Sequence, residues 1–379
     1  MMEWLVMETS GKNQTQQAVD CLLMRGGTSR GPFFKAADLP ADRASRDALL
    51  LAIMGSPDAR QIDGLGGAHP LTSKVGIVGP GREPGVDLEF LFAQVALDQA
   101  RVDTTPNCGN MLAAVVPFAL ETAMVAPRGD TSRYRVLTLN TGMLCDIEVQ
   151  TPGGRLRYDG TARIDGVPGT AAPIAISFLD TAGSVCAGLL PTGRARDRLQ
   201  APGLPPIEVT CIDNGMPMVL MRAADLQRRG DESVAELNAD ETLKARLEAL
   251  RLAAGEAMGL GDVRDKPYPK MCLLAPPAQG GSIATRCFIP HVCHDAIGVL
   301  AAVTVATACV LPATVAEGLA RLPGGTRQRL SVEHPSGEFS VELELDAAGQ
   351  VARAALLRTA RLLMRGTAYA PRAVFGESA

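Results

Sequence analysis

Asn107-Cys-Gly-Asn-Met-Leu-Ala-Ala-Val-Val-Pro-Phe118 is turn chemistry running straight into an unbroken apolar stretch. A second stretch of the same kind, from Ala296 to Pro312, repeats its Leu-Ala-Ala-Val tetrapeptide (Leu112 to Val115, Leu300 to Val303). The second run is too short to span a bilayer. A helix apolar on every side therefore belongs at the centre of a soluble domain. Two such helices, each set among strand-like segments, predict an α/β (α+β) chain of two similar domains, each a β-sheet wrapped around one central apolar helix. Both helix N-termini would then point at the seam between domains, where ligand sites favour forming.

Working outward from the first helix, short strands are expected at Asp20 to Met24, Ser73 to Val78 and Val86 to Val95, with an amphipathic helix from Ala44 to Met54 stopped by Gly55. Tyr134 to Leu139 with Cys145 to Gln150, and Ala172 to Phe178, follow as strands. Around the second helix the same rules give strands Ile207 to Ile212, Met218 to Arg222, Lys270 to Leu274, Ile283 to Phe288, Gln328 to Val332 and Phe339 to Leu345. A charged surface helix is expected over Ser233 to Ala254, and one last strand from Ala352 to Met364. The expected domains are residues 18–184 with 364–379, and residues 185–363, after a disordered extension over 1–17.

Composition narrows the function classes. With 379 residues, 46% of them hydrophobic but only 4% aromatic, the cores are packed by Ala, Leu and Val. A formal charge of −4 without a basic block argues against nucleic acid as a partner. Nine scattered cysteines give no disulfide framework and point to a reducing compartment. The apolar patch Trp4-Leu-Val-Met7 lacks the length and basic flank of a signal peptide, so the expected location is cytoplasmic, with no membrane partner.

Candidate chemistry clusters in four places. Cys108 at the mouth of a helix would meet free backbone N–H groups that stabilise a thiolate, and Asn107, Gly109 and Asn110 shape an anion hole beside it. Arg25-Gly26-Gly27-Thr28-Ser29-Arg30 has the composition of a backbone nest with a cation at each end, suited to a carboxylate. Lys74 closes a glycine-rich loop from Gly64 through Thr72 and Ser73, and opens an apolar strand. Partial desolvation there would suit it to act as a base. Cys287, His291, Cys293 and His294 match no familiar zinc pattern, and His291 and His294 precede the second apolar helix as Cys108 precedes the first. They are expected to touch substrate, and no metal is expected. Without a Gly-x-Ser-x-Gly elbow, acyl transfer has little support.

Taken together, Leu22-Leu-Met-Arg-Gly-Gly-Thr-Ser29, Met54-Gly-Ser-Pro-Asp58, Gln61-Ile-Asp-Gly-Leu-Gly-Gly67, Leu71-Thr-Ser-Lys-Val75, Asn107-Cys-Gly-Asn110, Asp213-Asn-Gly-Met-Pro217, Pro269-Lys-Met271 and His334-Pro-Ser-Gly337 resemble the PrpF family. The resemblance covers Cys21 to Arg365 and is strongest to the family's 4-oxalomesaconate tautomerases. It implies a diaminopimelate epimerase-like fold, no cofactor, and Lys74 and Cys108 as the proton-transfer residues. The implied reaction is a 1,3-allylic proton shift in 4-oxalomesaconate or a similar unsaturated tricarboxylic keto acid, within gallate- or protocatechuate-type catabolism. Methylaconitate- and methylitaconate-like acids are the alternative substrates, and a non-catalytic polycarboxylate binder is the alternative of another class. Arg25, Arg30, Lys270 and Arg286 are expected to meet the carboxylates, with Asn214 and Met216 lining the same site. The expected assembly is a homodimer. The family usually carries lysine where this chain has Arg30.

Overall fold

Gln16–Gly26 lies between two antiparallel neighbours, Ser29–Lys35 on one side and Ala360–Pro371 on the other. Ser29–Lys35 runs parallel to Lys74–Pro80, which is antiparallel to Leu88–Val95. Parallel neighbours need a crossover, and helix Arg43–Met54 supplies it. Asp42 caps that helix by accepting from the Ser45 N–H, and Gly55 ends it in the left-handed region at φ 74°. Strand alternation gives the sheet two buried faces. Phe34, Val75, Ile77, Ala93 and Val95 pack with Leu49, Leu50 and Ile53 of the helix. On the other face the Phe33 ring meets those of Phe90 and Phe118.

Phe118 belongs to the apolar run after Cys108, which forms two short helices, Gly109–Leu112 and Val115–Glu121, in place of the single one expected. Pro117 has no N–H for the Ala113 carbonyl and its ring crowds that carbonyl, so the break falls at Ala113 and Ala114. The second apolar run is a continuous helix, Val299–Val310, buried without interruption from Ala301 to Cys309.

The strands around this second helix repeat the order of the first set. Ile207–Asp213 is antiparallel to Pro217–Arg222, which is parallel to Lys270–Ala275, which is antiparallel to Ile283–Phe288. Ile212, Leu220, Cys272 and Ile283 pack on the central helix. Val209, Val219, Leu273 and Phe288 face Leu243, Leu247 and Leu250 on the other side. The surface helix expected over Ser233 to Ala254 is two helices, Val234–Ala239 and Glu241–Ala257. Asp240 separates them because its side chain accepts from the Leu243 N–H and starts the second.

The computed structural model describes residues 15–179, 181–200 and 205–372. Chain contacts divide into one unit of residues up to 126, 137–142 and 360 onward, and another of 127–136 and 143–359. This differs from the expected division at residue 184, and strand pairing explains why. Ile174–Phe178 is antiparallel to both Val351–Arg358 and Met143–Gln150, which joins all three to the second unit. The single last strand expected from Ala352 to Met364 is two strands, Val351–Arg358 and Ala360–Pro371, and Thr359 ends one unit. Gln16 and Gln17 are strand residues, whereas the rest of the expected disordered extension, up to residue 14, lies outside the described residues.

Candidate active site

Lys74 is the first residue of its strand. Its neighbour Val75 packs toward helix Arg43–Met54, so alternation turns Lys74 to the opposite face, the face of Cys108. Gly31 on the adjacent strand lets the Lys74 backbone approach closely, since a Cβ there would lie 1.7 Å from the Lys74 carbonyl oxygen. The side chain is 8% exposed. Its Nζ donates to Gln94 Oε1 at 2.9 Å, lies 3.7 Å from Cys108 Sγ, and sits 4.8 Å from the centre of the Phe92 ring. An amine and a thiol 34 residues apart in the sequence are thus brought into contact.

Cys108 precedes the turn Gly109–Leu112 and makes no capping bond with its side chain. One turn supplies little of the dipole expected from a long apolar helix. The side chain that the structure places against the thiol is Lys74. Cys108 and Cys186 are the partly exposed cysteines; the others are buried. Burial, with the Asp213 carboxylate nearby, pushes the Cys186 thiol up to about 12.

The glycine turn and the Cys108 segment are built against each other. Asn110 Nδ2 donates to Thr28 Oγ1 at 2.9 Å, and a Cβ on Gly27, whose φ is +52°, would strike Asn110 Oδ1. Gly26 likewise abuts the Asn110 carbonyl. Ser29 Oγ is buried here without a hydrogen-bond partner, and Asn107 Nδ2 donates to Thr141 Oγ1 at 2.5 Å. Arg25 closes its own turn by donating to the Gly27 carbonyl at 2.8 Å. It stands in register with Arg30 on one neighbouring strand and Arg361 on the other, and burial together with Arg361 lowers its pKa from the ordinary arginine value. Arg30 shares the face of Phe34 rather than that of Lys74, and its guanidinium lies beside Gly67 and Thr72.

Several expected site residues are holding the loop together. Ser73 Oγ donates to the Val95 carbonyl and accepts from Gln61 Nε2 at 2.7 Å. Gln61 also donates to Ser56 Oγ and accepts from the Ala68 N–H, which makes it the hub of the loop. Thr72 Oγ1 donates to the His69 carbonyl at 3.2 Å. Sequence reasoning missed Gln61, Gln94 and Arg361. Gln61 stood inside a quoted motif, but the other two carry no local signal and are found only through strand register.

In the second unit Lys270 opens its strand as Lys74 does in the first. Its Nζ lies 3.7 Å from where a Gly298 Cβ would be, at the start of helix Val299–Val310, and burial lowers its pKa. Arg286 does not join it. Alternation sets Arg286 with Ala284 and Phe288 on the other face, where Nε donates to the Glu232 carbonyl at 2.7 Å. His291 Nδ1 lies 3.3 Å from Glu248 Oε2, and His294 Nδ1 accepts from the Ala296 N–H within its own turn. Neither histidine occupies the helix mouth, because Gly298 and not His294 immediately precedes the helix. Asn214 is 5% exposed and both ends of its amide are engaged, Nδ2 donating to Thr307 Oγ1 and Oδ1 accepting from Thr181 Oγ1. Met216 packs against the central helix cluster. These two anchor a turn to the helix. Among the described residues no group of three or more His, Cys, Asp or Glu side chains is placed to hold a metal ion, and no helix is long and apolar enough to cross a membrane.

The chain is similar to known proteins along nearly its whole length. The family described as PrpF protein matches residues 16–371. The chain is 55% identical to the (4E)-oxalomesaconate Delta-isomerase of Novosphingobium sp. (strain KA1), across 94% of this chain and 99% of that one. It is 53% identical to the 4-oxalomesaconate tautomerase of Pseudomonas putida (strain KT2440), across 95% and 98%. Among solved structures it resembles a methylitaconate-delta-isomerase, with a TM-score of 0.85 and 35% identity across 96% of this chain and 98% of that one.

Proposed function

Since the chain belongs to the PrpF family, we propose that this isomerase moves a carbon–carbon double bond in 4-oxalomesaconate, or a closely similar unsaturated tricarboxylic keto acid, by a 1,3-allylic proton shift. The observation that carries the reading is the 3.7 Å contact between Lys74 Nζ and Cys108 Sγ. A shift of this kind needs one group to take a proton and another to return one at a different carbon. Lys74, as the free amine, removes a proton made acidic by the ketone and the conjugated alkene. The electron pair moves into a dienolate, and the Cys108 thiol delivers a proton at the far end. The Lys74 ammonium then returns its proton to the thiolate across their contact, so both groups finish as they began. The substrate class is supported by the relatives 55% and 53% identical, whose names specify oxalomesaconate. Such acids arise where aromatic rings are opened, which fits the proposed place in aromatic-acid breakdown.

The test is an NMR spectrum of 4-oxalomesaconate with enzyme in deuterated water, run beside methylitaconate. Turnover of the first with deuterium at the transposed carbon supports the reading. Turnover of methylitaconate alone would replace the substrate, and exchange in neither would remove the reaction.

A further inference from the structure

We infer that Gln94 is a positioning residue that fixes the Lys74 amine against the Cys108 thiol, an inference resting on the proposed reading of that pair. Gln94 and Lys74 are direct register partners on antiparallel strands, so their side chains leave the sheet on one face. The Gln94 amide cannot turn over freely. Its Nε2 donates both to the Ser73 carbonyl at 2.8 Å and to the Pro70 carbonyl at 3.1 Å. With both N–H bonds committed to the loop, Oε1 is left facing Lys74 and accepts from Nζ at 2.9 Å. One amide therefore ties three things together: the loop before the strand, the amine, and through the amine the thiol.

The arrangement restricts where the lysine can reach. A lysine side chain has four rotatable bonds and a compact ammonium or amine head. The Phe92 ring at 4.8 Å bounds the head, Gln94 holds it, and Cys108 is the titratable group it meets. Among the described residues no carboxylate pairs with it. Removing the acceptor frees the head to swing, and misplacing a catalytic group by about 1 Å costs roughly 100-fold in rate. Since Gln94 sets geometry rather than contacting substrate, the loss belongs in turnover.

Two substitutions in the full chain test this. Gln94→Met keeps the length and removes the acceptor. It is expected to lower kcat roughly 10- to 100-fold with KM within about twofold. Gln94→Glu keeps an acceptor for Lys74 but has no N–H for Pro70 and Ser73, and its carboxylate favours the protonated amine. Its activity is expected to recover as pH rises, a recovery absent from Gln94→Met. The second readout needs no substrate: the rate at which iodoacetamide alkylates Cys108, followed by peptide mass spectrometry. Displacing the amine takes away the basic group 3.7 Å from the thiol, so alkylation is expected to slow severalfold in Gln94→Met. Slowed alkylation in an enzyme inactive on 4-oxalomesaconate upholds the positioning role and discards the proposed reaction. Unchanged alkylation in both variants overturns the inference, whatever their activity.

Discussion

Lys74 and Cys108 do different work in the proposed shift, and substitution separates them. Lys74→Met removes the acceptor for the first proton and is expected to lower turnover by roughly 10²- to 10⁴-fold without weakening binding. Cys108→Ser leaves the first step intact but replaces the thiol by a hydroxyl, a weaker proton donor. It should still wash deuterium from solvent into the carbon deprotonated first, while forming little product. Deuterium incorporation by NMR distinguishes the two, and normal turnover in both variants would end the mechanism. At this scale the sequence was informative where a residue carries its own chemistry. Lys74 and Cys108 stood out from their neighbours, and the structure brings them into contact. Arg286 and Asn214 stood out too, yet a backbone carbonyl takes up the first and two threonines, Thr181 and Thr307, take up the second. Which way a side chain leaves a strand depends on register with a partner far away in the chain, and composition does not encode it locally.

The two central helices show how an element is shaped by what packs on it. Thr304 and Thr307 are the polar residues inside Val299–Val310. Both are buried, and both reach the turn at Asn214, Thr304 by donating to its carbonyl and Thr307 by accepting from its amide. Thr307→Val keeps the shape but leaves Asn214 Nδ2 without its acceptor. That should destabilise the fold by about 1–3 kcal/mol, read as a lower urea midpoint. In the first unit Gly31→Ala puts a methyl group where the Lys74 carbonyl lies, and the two strands must part. Overpacking of this kind costs about 1–3 kcal/mol. Here it should also reduce turnover more than an equally destabilising change remote from Lys74. The positions of these helices were legible because a long, unbroken apolar run bounded by turn residues is a strong signal. Pro117, nine residues into the expected single helix, is the local signal for the break at Ala113, and the unbroken apolar run around it masks that signal.

Across the whole molecule the repetition of strands around an apolar helix was legible from two apolar stretches and one shared tetrapeptide, whereas the strand pairing and the division of the chain were not. That division depends on Ile174–Phe178 pairing with Val351–Arg358, a contact that no local pattern announces. One global property follows from His334, which is buried beside the Phe339 ring with Nδ1 near Ser336 Oγ. Burial lowers its pKa from the ordinary 6.5. The unfolded chain then binds the proton more readily, so its contribution is full above about pH 6.5, declines as pH falls toward the folded value, and levels off below it. Urea midpoints measured at about pH 7.5 and pH 5.5 should differ less in His334→Gln than in the parent protein. A further consequence lies in the pairing of Gln16–Gly26 with Ala360–Pro371. On the ribosome, the strand that carries Arg25 pairs at once with Ser29–Lys35 but waits for its second partner, made more than three hundred residues later. The second unit can fold as soon as Thr359 has emerged, while the Lys74 and Cys108 pair lacks its completed sheet until the final strand arrives. Chains stalled before that point should contain a protease-resistant second unit and a digestible first one, with the chemistry assembled last.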